Sequence, residues 1–137
     1  VWQGGMVGGT GTAAVLTGEV SPSGKLPDTI AYEIPDYPSD KFFGSGDTDC
    51  YGEDIYVGYR YFETFAKDRV RYPFGFGMSY TSFEISANDF TLDGDTVRGS
   101  VSVRNIGKVP GREVVQIYCS APQRGNESRQ KTTLFPI

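Results

Sequence analysis

The chain has 137 residues, 13 lysines and arginines against 17 aspartates and glutamates, and no histidine. A net charge of −4 argues against a phosphate-backbone partner, and without histidine these residues build neither a Ser-His-Asp or Cys-His nucleophile nor a histidine zinc site. Eighteen glycines and an aromatic content of 14% favour loops and β-structure over helix.

Val1-Trp2 reads as the end of a buried strand, followed by Gly4-Gly5-Met6-Val7-Gly8-Gly9. Thr10 to Thr17 carries Ala13, Ala14, Val15 and Leu16 with Gly18 just behind, the pattern of a short helix closed by a left-handed glycine. Pro22-Ser23-Gly24-Lys25-Leu26-Pro27 is a turn and a short extended piece. Residues 31 to 54 form a long irregular segment rich in aspartate, of a length that is normally functional or interfacial. Ile55 to Phe62, dense in Tyr and Val, is expected to be a strand. Pro73 to Tyr80 is an aromatic-glycine loop. From Thr81 the pattern turns to β: Phe83, Ile85, Phe90 and Leu92 in a strand bent near Asn88-Asp89, an Asp93-Gly94 turn, and an alternating strand through Val97, Val101 and Val103. A third strand is expected at Val115, Ile117 and Cys119, after which Gln123 to Thr133 is polar and unpatterned.

Trp2-Gln3-Gly4-Gly5 through Pro22-Ser23-Gly24-Lys25-Leu26-Pro27 resembles the end of the second domain of glycoside hydrolase family 3. Tyr56-Val57-Gly58-Tyr59-Arg60-Tyr61-Phe62 and Pro73-Phe74-Gly75-Phe76-Gly77-Met78-Ser79-Tyr80 resemble the junction into that family's fibronectin type III-like domain. Val103-Arg104-Asn105-Ile106-Gly107 and Gly111-Arg112-Glu113-Val114-Val115-Gln116-Ile117-Tyr118 resemble that domain's own signature. The resemblance implies a mainly β chain: a partial fibronectin type III-like sandwich preceded by a strand-helix remnant of an α/β domain and long loops. The boundaries drawn on it are 1–54 for the α/β remnant and its linker, 55–82 for the junction, and 83–137 for the partial sandwich. It also implies a β-glucosidase-like parent that hydrolyses terminal β-D-glucosides with retention, using an aspartate nucleophile from a barrel and a glutamate acid/base. Neither carboxylate motif occurs in these residues, so no catalytic residue is assigned. The expectation is a structural piece, inactive alone, with no cofactor and no metal.

Other readings of the motifs are weaker. Gly9-Thr10-Gly11-Thr12-Ala13-Ala14 fits a dinucleotide fingerprint but no βαβ unit follows. Asp47, Asp49, Glu53 and Asp54 would suit calcium only with a carboxylate where Gly58 stands, so a solvated acidic loop is preferred. Ser128-Arg129-Gln130-Lys131 lies in a polar tail rather than a helix start. The weak substrate-binding candidates of a whole enzyme are Trp2, Glu53, Tyr56 and Arg60, with Tyr59, Tyr61, Phe74, Phe76 and Tyr80 as further rings whose blander role is packing. Cys50 and Cys119 read as free thiols, Cys119 as a small buried hydrophobe. Two different classes remain beside the fragment: a stand-alone β-sandwich that binds carbohydrate, and a small hydrolase such as an esterase, against which the missing histidine weighs. Half a sandwich leaves an open edge, so a homo-oligomer or strand exchange is expected; neither nucleic acid nor a membrane is expected as partner. No leader pattern opens the sequence, which decides little; the location is left open, with the cytoplasm slightly favoured.

Overall fold

A computed structural model describes residues 4–44, 46–48, 50–119 and 133–135, the last three and Cys119 by backbone alone. Trp2, Asp49 and the Ser128 to Lys131 motif lie outside the described residues. The described chain separates into two units, one of residues 1–24 and 77–115, the other of 25–76 and 116–137.

In the first unit, helix α1 spans Gly8–Leu16. It ends as its sequence requires: Thr17 N–H donates to Ala13 O at 2.9 Å, and Gly18, at φ 81°, turns the chain out. The Tyr80 hydroxyl donates to Val15 O at 2.8 Å, tying the last turn of α1 to the segment before strand β3. Strands β3 (Phe83–Asp93) and β4 (Thr96–Asn105) form an antiparallel hairpin from Phe83↔Asn105 to Asp93↔Thr96. The two turn residues are Gly94, at φ 59°, and Asp95, the placement a tight hairpin needs. The register shifts between Asn88 and Thr91, where Asp89 takes φ 44°, which makes the expected bend a β-bulge. Gly99 faces that bulge, and a Cβ there would lie 2.5 Å from Phe90 Cδ1. One face carries Ile85, Leu92, Val97 and Val103; the other carries Glu84 and Arg104, paired at 2.6 Å, with Ser86 and Ser102.

In the second unit, β1 (Ile30–Ala31) pairs antiparallel with β2 (Val70–Tyr72). The Tyr37 hydroxyl serves this short ladder twice, accepting from Ala31 N–H at 2.9 Å and donating to Thr29 O at 3.2 Å. Single 3-10 turns at Ile34–Asp36 and Asp40–Phe42 lead into an irregular stretch. Gly52 lies under the Phe42 ring, leaving no room for a Cβ.

The strand expected at Ile55 to Phe62 is instead a turn and a helix, α2 (Tyr59–Phe65). Asp54 at φ 52° and Gly58 at φ 57°, ψ −130° break the extended path. Beyond Gly58 a helical period places Phe62 inward at 1% exposure and brings Tyr61 and Phe65, four apart, to 5.7 Å between ring centroids. Packing overrides the β preference of Tyr and Val. Phe62, Ala31 and Thr29 are the buried residues among those described, and the Tyr37 ring meets Phe62 edge-on at 5.4 Å.

The expected third strand is present as β5 (Ile117–Cys119), one step of the alternation shorter than read, and it pairs antiparallel with β6 (Thr133–Phe135), Tyr118 opposite Leu134 and Ile117 opposite Phe135.

Candidate functional site

Of the substrate-binding candidates, Glu53, Tyr56 and Arg60 fall on one turn and the helix after it, and Trp2 lies outside the described residues. Glu53 is half-buried in the turn and lines a shallow hollow of about 440 Å³ with Phe42, Phe43, Cys50 and Tyr51. Cys50 is exposed and free. Tyr56 stacks edge-on against Phe65 at 4.8 Å. Arg60, in the first turn of α2, donates from Nε to the Tyr59 hydroxyl at 3.5 Å with its guanidinium 5.9 Å from that ring. The backbone ties Glu53 to Tyr56, whose N–H donates to Glu53 O at 2.9 Å, whereas Arg60 N–H donates to Val57 O at 3.3 Å.

A second cavity, about 360 Å³, is walled in part by α2. Among the described residues it is lined by Thr29, Tyr59, Phe62, Glu63, Val70, Pro73, Phe74 and Tyr118. The Tyr59 ring stands 5.0 Å from Phe74 and 6.4 Å from Tyr118. Gly75, at φ 78°, lets the Gln116 side chain occupy the place a Cβ would take, and the Tyr118 hydroxyl donates to Gln116 Oε1 at 2.5 Å. Burial pushes the Tyr118 phenol above its ordinary value near 10, and the neighbouring Tyr59 and Glu63 add to the rise. Glu63 meets Lys67 at 2.6 Å across one helical turn. The Thr29 hydroxyl, buried in the wall, has no hydrogen-bond partner among the described residues.

Tyr59 and Phe74 were legible in the sequence as rings able to face a sugar. Glu63, Phe62 and Tyr118 were not singled out. The four-residue spacing of Tyr59 and Glu63 would have found Glu63 once 59–65 was read as helix. No group of three His, Cys, Asp or Glu among the described residues is placed to share a metal ion.

Residues 1–80 match the glycosyl hydrolase family 3 C-terminal domain, and the chain belongs to that family. Over 122 residues it is 68% identical to a β-glucosidase of Ruminococcus albus, a match spanning 89% of this chain and 13% of that protein. It is 47% identical over 153 residues to β-glucosidase BoGH3A of Bacteroides ovatus, covering 98% of this chain and 20% of the relative. Among solved structures, a β-glucosidase from Paenibacillus barengoltzii superposes with a TM-score of 0.90 at 51% identity, over 97% of this chain and 15% of that one. β-Glucosidase 3B from Thermotoga neapolitana, in complex with glucose, superposes at 0.88 with 42% identity over 97% and 19%. The chain spans at most a fifth of the length of these relatives.

Proposed function

We propose that these residues serve a β-glucosidase as a structural segment, closing its C-terminal α/β domain and opening the β-rich domain after it. The whole enzyme would hydrolyse terminal β-D-glucosides, with its nucleophile and its acid/base supplied by residues not in this sequence. The observation that carries this reading is the 68% identity to the R. albus β-glucosidase, held over a span in which neither catalytic carboxylate motif occurs. Two carboxylates about 5 Å apart are the minimum for a retaining glycosidase. Glu53 and Asp54 are adjacent in sequence, and among the described residues Glu53 is the one carboxylate that lines its hollow.

The test exchanges this chain for the matching 122-residue span of the R. albus enzyme. The chimaera is expected to hydrolyse an aryl β-glucoside within about tenfold of its parent, and the isolated chain not at all. A folded but inactive chimaera, or turnover by the isolated chain, would overturn the reading. In the chimaera, Glu53, Tyr56 and Arg60 become testable as substrate contacts. Arg60→Ala raises KM if the guanidinium touches sugar; if it only braces Tyr59, it lowers stability and leaves KM alone.

A further inference from the structure

The cavity beside α2 lies wholly within the unit of residues 25–76 and 116–137 and has no part in the role proposed above. We propose that it binds one pyranose ring, a glucosyl unit, against the faces of Tyr59, Phe74 and Tyr118, with the Glu63 carboxylate accepting hydrogen bonds from the sugar hydroxyls.

Size is the first argument. About 360 Å³ is at the low end of small-molecule pockets, which run from roughly 300 to 1,000 Å³, and suits a single ring rather than a chain of them. Chemistry is the second. The walls are rings, a proline and a valine, with few polar groups among the described residues: one carboxylate, two phenols and the Thr29 hydroxyl. A pyranose presents C–H bonds on its faces and hydroxyls around its rim, and matches both. The third argument separates a sugar from a cation, which aromatic rings and a carboxylate also attract. Glu63 already holds the Lys67 ammonium at 2.6 Å. Its charge is balanced, and what it still offers is lone pairs for neutral hydroxyl donors. The Tyr118 hydroxyl is in the same position: its proton goes to Gln116 and its oxygen remains an acceptor. The preference for glucose among sugars rests on the β-glucosidase reading; the fit to a neutral hydroxylated ring does not.

The experiment is a saturation-transfer NMR titration of the full 137-residue chain with methyl β-D-glucoside, repeated with Phe74→Ala, Glu63→Gln and, as a control at an exposed ring lining neither hollow, Tyr32→Ala. Saturable binding of millimolar order is expected for the native chain and for Tyr32→Ala. Phe74→Ala should weaken it about tenfold, the scale of one lost aromatic contact, and Glu63→Gln severalfold. Binding that does not saturate, binding that Phe74→Ala leaves unchanged, or displacement of the glucoside by tetramethylammonium would each overturn the proposal. Should the isolated chain not fold, the titration moves to the chimaera, which must show two glucoside-binding events, one of them lost in Phe74→Ala. A chimaera that hydrolyses but binds only once sinks this site and leaves the function standing; an inactive chimaera that still shows the cavity event does the reverse.

Discussion

At Tyr118, itself 43% exposed, partial desolvation and the nearness of Tyr59 and Glu63 favour the protonated phenol. Its pKa in the folded chain is higher than in the unfolded chain. Between about pH 10 and the folded value the folded form therefore keeps a proton that the unfolded form has released. Stability from this site is intact below pH 10 and is lost as the pH climbs through that window. Tyr118→Phe removes the titration along with the hydrogen bond to Gln116, whose loss costs about 1 kcal/mol near neutrality. Urea unfolding at pH 8 and pH 11 checks this: the native chain should lose more stability over that span than Tyr118→Phe. Equal losses would mean that Tyr118 titrates as it does in the unfolded chain.

Among the elements, α2 depends most on a single backbone conformation. Gly58 sits at φ 57°, ψ −130°, where a side chain is strained whatever space it has. The space is in fact adequate, since a Cβ would meet only Asp28 Oδ1 at 3.5 Å. Gly58→Ala is therefore expected to lower the unfolding free energy by about 1–3 kcal/mol through strain alone. It should leave the Phe62 environment native, as read by near-ultraviolet circular dichroism and a urea titration. Gly99 is the contrasting case: there the cost of a Cβ is collision with the Phe90 ring. These two glycines also show what the sequence made legible. The β3–β4 hairpin was readable because alternation, a glycine turn and an Asn-Asp bend all point the same way. Helix α2 was not, because Tyr59, Tyr61 and Phe62 prefer strands on their own, and what redirects them is the Gly58 conformation and the burial of Phe62. The cavity was half readable. Its rings stood out, whereas Glu63 joins them only through the helical period and Tyr118 through the Gln116 contact on Gly75, some forty positions away in sequence.

For the molecule as a whole, the decisive feature is the apolar surface that the described residues leave exposed on the hairpin. Leu92 is 74% exposed and Val97 65%, and with Ile85 and Val103 they lie on one face of a two-stranded hairpin. Two strands with a bare apolar face are marginal in water. A second element must cover that face, and in a whole β-glucosidase the remaining chain would do so. The isolated 137-residue chain has a second copy of itself available, and two such faces can pack together about a two-fold axis. Self-association is therefore the expected behaviour. Surface pairs such as Glu84–Arg104 on the opposite face contribute only about 0–1 kcal/mol each and do not oppose it. Light scattering across a hundredfold concentration range should show mass rising above that of one chain. Leu92→Lys combined with Val97→Lys should return the mass to a single chain while the circular dichroism of the helices is kept. A native chain that stays monomeric and folded throughout would mean that something within this sequence already shields the hairpin. A double variant that still associates would place the contact elsewhere, at the open edges of β3 or β4 where strand exchange can occur.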